Sequence, residues 1–324
     1  MPKVSIITLV YKNADLLLEA MPQLEQQTCR DFEQILFSNG CPDDADRIER
    51  EWCASRPWAR MVRSPSNLGI CGGLNAAIAH ATGTFVTFFT DDLWTPDHIA
   101  SLVAALEGST ANAAFSPADD MNAVGGLREH RRPAADLRTL GVDDLAAWFE
   151  GDRPTRVPGA VILRALLVTN VVRAVAFLIR RDTFLRLGGY DATLPFEDFD
   201  LSLRVALDGD WVFVPDCTTT YVIRGRSFSE QHPERVAQGA ADTLAKHLRA
   251  LRERGLGDDA TRAYVRYASW AFFTGLGRRD RTVMQRSLSH ALRAMTRLNL
   301  RPLAEASSTE IRQRLRHRLQ RSAR

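Results

Sequence analysis

A chain of 324 residues is too long for one small domain and suits one large domain with an appendage. Its 45% apolar and 25% charged residues support a sizeable core, and a net charge of only +3 gives no global argument for nucleic acid. The five cysteines, Cys29, Cys41, Cys53, Cys71 and Cys217, are odd in number and form no Cys-x-x-Cys pair. Neither a zinc cluster nor a disulfide framework is indicated, and a reducing, cytosolic setting fits best.

Lys3 to Val10 reads as a first buried strand, broken by Tyr11-Lys12-Asn13. No small-residue cleavage site follows it, so it does not read as a signal peptide. No apolar run approaches the roughly 20 residues of a membrane-spanning helix. Asn13 is placed to cap a helix through Leu16, Leu17, Ala20 and Leu24. Phe32 to Phe37 reads as a second strand, and Ser38 to Asp44 as a turn-rich loop. Ile48 and Trp52 mark a helix, and Ala59 to Arg63 a third strand. The glycine-rich run Asn67-Leu68-Gly69-Ile70-Cys71-Gly72-Gly73 feeds a helix over 74–81. Phe85 to Phe89 has the unbroken apolar character of a strand buried on both faces. This β-α-β-α-β-α-β order predicts a parallel, doubly wound sheet.

Asp91 and Asp92 follow that last strand at its carboxyl end, where open α/β sheets bind ligands. Adjacent carboxylates repel unless a proton or cation intervenes, and a divalent cation shared with a diphosphate is the simplest solution. The plain alternative is a cap for the helix beginning near Ile99. From 107 to 158 the pattern is irregular. Ala113 to Ser116 suits a strand, and the Gly- and Arg-rich stretch Asn122 to Pro133 is either a functional lid or a variable surface loop. Val171 to Arg180 has strand composition, and Asp182 to Leu187 is helical, closed by Gly188-Gly189. Glu197, Asp198 and Asp200 then crowd one helix start. Any one can be a cap, but three exceed what a cap needs, and crowding predicts a raised pKa suited to a general base. Trp211 to Val214 and Tyr221 to Ile223 read as strands. Arg224, Arg226 and His232 lie in a polar segment: a solvated loop, or else a clamp on diphosphate, or His232 as a further metal ligand. Beyond about Glu234 helical patterns dominate. In 310–324, Ile311, Leu315 and Leu319 share one face with arginines around them. Such a helix packs by its narrow stripe with arginines in water, the reading we favour, or lies peripherally on an anionic membrane surface.

Several separated motifs resemble the inverting GT-A glycosyltransferases of family two. They are Val4-Ser5-Ile6-Ile7 with Tyr11, Gln27-Thr28 before Asp31-Phe32-Glu33, and Asn67-Leu68-Gly69 with Gly72, Gly73 and Asn75. Thr90-Asp91-Asp92 resembles a variant of the Asp-x-Asp region, and Phe196-Glu197-Asp198-Phe199-Asp200-Leu201 the Glu-Asp base motif. Together they span about Pro2 to Ser229. The resemblance implies a GT-A type α/β fold, Rossmann-like and mostly parallel, over 1–233. Within it 1–106 forms a nucleotide-binding half and 107–233 an acceptor-side half, with a helical region over 234–324. It implies a nucleotide-sugar donor, with UDP favoured, held by Leu9, Tyr11, Ser38, Asn39, Asn67, Gly69, Gly72, Asn75 and Asp91. Mn or Mg would be held by Asp92, the favoured ligand, with Asp91 and His232. Asp198, aided by Glu197, would be the base, with Asp200, Arg224 and Arg226 on the acceptor or diphosphate. The acceptor would be a saccharide, a lipid-linked or another hydroxyl, in polysaccharide or glycoconjugate synthesis on the cytoplasmic side. The chain departs from the family at Ser38-Asn39, where an acid usually reads uracil, at Leu74, where an Arg is common, and in the shortened segment after Asp92. Two other readings remain: a nucleotidyltransferase, disfavoured because Thr8 to Asn13 lacks glycine, and a degenerate domain that binds a partner.

Overall fold

The computed structural model describes residues 1–41, 43–122, 126–194, 197–217, 219–225 and 227–297. In chain order the elements are β1 (Val4–Val10), α1 (Ala14–Ala20), β2 (Phe32–Asn39), α2 (Asp43–Ala54), β3 (Ala59–Ser64), α3 (Gly69–Ile78) and β4 (Phe85–Phe88). There follow β5 (Leu93–Trp94), α4 (His98–Glu107), β6 (Ala113–Phe115), β7 (Ala118–Asn122), β8 (Leu127–Arg131), α5 (Pro133–Thr139) and α6 (Asp143–Ala146). Next come β9 (Thr155–Val157), α7 (Gly159–Val168), β10 (Phe177–Arg180), α8 (Arg181–Arg186), α9 (Glu197–Asp208), β11 (Trp211–Phe213) and β12 (Thr219–Ile223). Last are α10 (Phe228–Gln231), α11 (Pro233–Glu253), α12 (Gly257–Arg278) and α13 (Arg281–Arg297).

One compact unit comprises Met1–Thr193 with Glu197–Arg226. Its large sheet has the order β3-β2-β1-β4-β10-β6-β11-β9. The β-branched and aromatic residues of β1 and β4 are buried almost throughout, as strands covered on both faces must be. β1 pairs in parallel with β2 and β4, and β2 with β3. This half is the parallel, doubly wound layer expected. The next strand departs from it, because β10 runs antiparallel to both β4 and β6, so the whole sheet is mixed. A second sheet, β5-β12-β7-β8, carries much of the site described below.

Local differences from the sequence reading have physical causes. The Asn13 side chain does not cap α1; its Oδ1 accepts from the Tyr11 amide, 2.9 Å away. After Ala20 the chain tightens into a 3-10 turn over Met21–Gln26, with Pro22 as its second residue. Of the glycine-rich run only Asn67 and Leu68 are loop; Gly69 to Gly73 already form the first turns of α3, entered through Gly69 at φ 73°. Only Phe177–Arg180 of the stretch 171–180 is strand, preceded by a 3-10 turn over Ala174–Ala176. The Gly- and Arg-rich stretch after Asn122 contains β8, which returns along β7 as an antiparallel partner.

The second unit is Leu194–Phe196 with Ser227–Arg324, and its described residues 227–297 are mostly helical. It opens at Ser227, whose hydroxyl and Glu230 form a capping box on α10. Within it Asp242 of α11 bonds His290 of α13 at 2.8 Å, and His290 in turn meets Tyr264 of α12 at 2.6 Å. The arginine-rich segment 310–324 lies outside the described residues. Among those described, no helix is long and apolar enough to cross a membrane.

His98 gives the fold a pH handle. It is fully buried at the start of α4 against Trp94, ring centroids 4.8 Å apart, and neither ring nitrogen has a partner among the described residues. Burial pushes its pKa down to about 3. The unfolded chain therefore binds a proton that the folded chain refuses, and stability falls as pH drops through the ordinary histidine value toward 3. This group should cost about 2 kcal/mol between about pH 7 and about pH 5. Urea unfolding at both pH values should show a smaller loss in His98→Phe than in the wild type; equal losses would refute the assignment.

Candidate active site

The carboxyl ends of β1, β2 and β4 meet along one edge. Val10 pairs with Ser38, Ile7 with Phe88, and the Phe89 amide continues the ladder to the Ile7 carbonyl at 2.8 Å. Tyr11, Ser38, Asn39, Asp91 and Asp92 are thereby gathered on the edge where such sheets bind ligands. The capping alternative for the two acids fails, because β5 intervenes and α4 begins at His98 after Asp97.

The two acids differ in kind. Asp92 is buried, and both its oxygens are engaged: Oδ2 accepts from the Thr90 hydroxyl at 2.6 Å, and Oδ1 from the Val222 amide of β12 at 2.9 Å. Burial raises its pKa to about 6 against the pull of those two hydrogen bonds. Asp91 is half-buried, and its Oδ2 accepts from Arg224 Nη1 at 3.0 Å, while the same nitrogen donates to the Asp91 carbonyl at 2.9 Å. The more accessible carboxylate is thus Asp91, whereas the sequence reading favoured Asp92 as the metal ligand. Among the described residues no group of three or more His, Cys, Asp or Glu side chains could hold a metal ion. One or two carboxylates suit a Mg or Mn ion whose other ligands are water and diphosphate oxygens, so the residues present fit such an ion.

The glycine-rich segment is held by amide side chains. Buried Asn39 donates through Nδ2 to Asn67 Oδ1 at 3.1 Å and to the Gly69 carbonyl at 3.0 Å, and accepts from the Leu68 amide at 2.9 Å. Asn67 Oδ1 also accepts from the Gly69 amide at 2.8 Å. Asn75 exchanges two bonds with the Tyr190 backbone, at 2.8 and 2.9 Å, closing α3 onto the turn after α8. Gly73 lies so close to β1 that a Cβ there would come 2.6 Å from Leu9 Cδ1; Gly72 is looser, at 3.1 Å from Leu68 Cβ. Exposed Tyr11 has its phenol pKa lowered by a hydrogen bond with Asn67 and by Lys12, whose Nζ sits 5.3 Å from the ring centroid. Ser38 is fully buried.

Asp198 lies at the start of α9, partly exposed. Its carboxylate accepts from the Phe199 amide at 2.8 Å and from the Ala174 amide. Its pKa is raised to about 6 by burial, with Arg173 pulling the other way. Burial, rather than the acidic crowding expected from the sequence, is the leading cause. Asp200 faces the interior, fully buried and 2.7 Å from Arg204 Nε, whose other nitrogens cap the Leu187 and Gly189 carbonyls. That makes Asp200 a structural anchor for α9 rather than an acceptor contact. The Glu197 side chain and Arg226 lie outside the described residues. His232 belongs to the helical unit, where its Nδ1 is 3.5 Å from Glu234.

The sequence reading missed Asp119, Asp120 and Arg173. Asp120 of β7 pairs with Arg173 at 2.7 and 3.4 Å, and the Arg173 guanidinium lies 5.4 Å from the Tyr221 ring on β12. Asp119 accepts from Arg132 at 2.6 Å and lies 3.2 Å from His130. The Asp-Asp pair at 119–120 was a signal, but only the pairing of β7 with β12 places it opposite Thr220 and Tyr221, next to the Val222 that binds Asp92. A run of contacts thus joins Asp198, Ala174, Arg173 and Tyr221 to Val222, Asp92, Asp91 and Arg224.

Residues 5–165 match the family model described as Glycosyl transferase family 2. The putative glycosyltransferase EpsE of Bacillus subtilis is 29% identical over 108 residues, 33% of this chain and 39% of that protein. The uncharacterized glycosyltransferase EpsJ of the same organism is 30% identical over 100 residues, 31% of this chain and 28% of that protein. The chain therefore aligns with only about a third of the length of these curated relatives. Among solved structures, S. aureus TarS 1–349 in complex with UDP-GlcNAc superposes with a TM-score of 0.69 at 16% identity, covering 93% of this chain and 83% of that one. The mannosyltransferase PcManGT from Pyrobaculum calidifontis, in complex with GDP-Man and Mn2+, gives 0.60 at 19% identity, over 94% and 78%. The fold is of the GT-A type, and residues 5–165, just under half of the chain, are similar to family 2 glycosyl transferases.

Asn39 separates a structural from a base-reading role at the end of β2. Asn39→Ala removes the side-chain partner of the Leu68 amide and the Gly69 carbonyl, which should cost about 1 kcal/mol. Denaturant unfolding without nucleotide measures it, and an unchanged midpoint would show that Asn39 does not hold the loop.

Proposed function

We propose that this protein transfers a sugar from a nucleotide diphosphate donor to an acceptor hydroxyl, with inversion at the anomeric carbon. The observation that carries this reading is Asp198. It is a carboxyl group whose pKa burial raises to about 6, on a residue that is partly exposed as a whole, and it is joined through the Ala174 amide, Arg173 and β12 to the Asp91–Arg224 edge. The family match and the nucleotide sugars named for both structural neighbours support the donor class.

The steps follow from the residues. Tyr11 flanks the base, and the strand tips with the start of α3 hold the nucleotide. Arg224 offers positive charge to the diphosphate as the glycosidic bond breaks and negative charge gathers there. A divalent cation bound through Asp91 would stabilise the same leaving group. Asp198 accepts the proton of the acceptor hydroxyl, whose oxygen forms the new bond to the anomeric carbon as the diphosphate departs from the opposite face. One base and one displacement give inversion. Asp92, with both oxygens engaged, acts by fixing the turn that presents Asp91. We favour UDP as the nucleotide and polysaccharide or glycoconjugate synthesis as the setting.

Two measurements test this. In Asp198→Asn, UDP release from a panel of UDP-sugars with Mn should fall by at least about a hundredfold, the scale of a general base, while UDP affinity by calorimetry stays within a few-fold. Asn still caps α9, so the fold should persist. Undiminished release would remove Asp198 as the base. In Asp91→Asn, Mn should no longer tighten UDP binding, and in the wild type UDP should raise the melting temperature more than GDP does. A Mn effect preserved in Asp91→Asn, or a larger shift with GDP, would overturn the metal or the uridine assignment respectively.

A further inference from the structure

We propose that the corner formed by the end of α12 and the start of α13 docks on an anionic lipid surface. It concerns the helical unit alone and stands apart from the catalytic reading. The first observation is a division of charge that the small total conceals. Residues 227–324 carry 20 Lys and Arg against 9 Asp and Glu, a net charge of +11, whereas 1–226 carry 22 against 30, a net charge of −8. Of the 20 cations in the helical unit 19 are arginines, whose planar guanidinium groups meet phosphate oxygens two at a time.

The second observation is where α12 leaves apolar surface in water. Its inner face buries Ala260, Tyr264, Ala271 and Gly275. The opposite stripe, at alternating spacings of four and three, is Arg262, Arg266, Ser269, Phe273 and Leu276. Phe273 is 60% exposed and Leu276 51%, one turn apart, with Phe272 half-buried beside them. The helix then ends at Arg279, φ 58°, and α13 begins at Arg281. Arg262 and Arg278 are held by Asp259 and Glu234. Arg279 and Arg281 are exposed and have no ion pair among the described residues. An exposed aromatic and a leucine flanked by free guanidinium groups match an anionic bilayer: the apolar pair enters the acyl boundary while the arginines reach the headgroup phosphates. Other occupants match less well. A second copy on a two-fold axis would set these arginines against themselves. The segment 298–324 has a net charge of +5 and is repelled by the same groups. A nucleic acid would neutralise the arginines and stack on Phe273, but would bury no apolar surface at Leu276.

Flotation of the full chain tests the proposal, with vesicles of phosphatidylcholine and phosphatidylglycerol in equal parts beside vesicles of phosphatidylcholine alone. Binding to the mixed vesicles should be tighter by at least about tenfold and should weaken as salt rises. Phe273→Ser with Leu276→Ser leaves every charge in place and should weaken it by about tenfold. Arg279→Gln with Arg281→Gln should weaken it by about tenfold or more. All four side chains are exposed, so the melting temperature should not move; if one pair of substitutions does unfold the chain, the other carries the test. No preference for the mixed vesicles would overturn the proposal. So would wild-type binding in either folded variant, because the charge of 298–324 would then account for the attachment. Tighter binding to a DNA duplex than to the mixed vesicles at the same ionic strength would replace lipid by nucleic acid as the partner.

Discussion

The site depends on a single buried carboxylate. Asp92 accepts from the Thr90 hydroxyl within its own turn and from the Val222 amide on β12, far along the chain. An ionised carboxylate out of water is costly unless its lone pairs are used, so this turn and that strand are compelled to stay together. The consequence is geometric. β12 cannot leave β4's end without stranding a charge, and β12 brings with it Tyr221 and Arg224, and through parallel pairing the β7 strand of Asp119 and Asp120. The small second sheet is placed against the nucleotide edge by electrostatics as much as by packing.

The same economy of polar groups recurs around that edge. A segment rich in glycine has few side chains to pack, and backbone entropy favours its loosening. Asn39 and Asn75 answer this by saturating backbone groups on either side of α3, each amide serving as donor and acceptor at once. The glycines are needed for proximity: Gly73 touches Leu9 of β1, and Gly189 lies where a Cβ would meet the Asn75 amide oxygen at 2.5 Å. The loop is therefore rigid where it meets the sheet, and its exposed part, Asn67 to Ile70, is what a ligand can reach.

What could be read from the sequence was local. Buried strands announce themselves by unbroken apolar runs, and β1, β2 and β4 lie where Val4–Val10, Phe32–Phe37 and Phe85–Phe89 indicate. Acids directly after a buried strand belong to the ligand edge by topology, which made Asp91 and Asp92 legible in place though not in role. Which of the two turns inward depends on Val222, a partner 130 residues away. The acids at 197–200 were legible as a cluster, but the division of labour was not. Arg204, one helical turn on, claims Asp200 for the interior, while Asp198 draws its raised pKa from burial. Asp120 and Arg173 are 53 residues apart and carry no local pattern that joins them. Asn39 was legible as a polar residue at a strand tip, but nothing local says that its amide also bonds Leu68 and Gly69.

The partition of acids in this site follows one rule. A carboxylate does chemistry only if its charge is neither fully solvated nor fully spent. Asp200 is spent on Arg204, and Asp92 on Thr90 and Val222. Asp91 is half spent, sharing one oxygen with Arg224, which suits a group that exchanges a guanidinium for a cation or a phosphate counter-charge. Asp198 accepts from the backbone amides of Phe199 and Ala174, and Arg173 is paired with Asp120. Backbone N–H groups fix the carboxylate's direction without supplying a full positive charge, so it is oriented yet still basic. A leaving-group side rich in charge and a base side deliberately poor in it is the electrostatic division that a single in-line displacement requires.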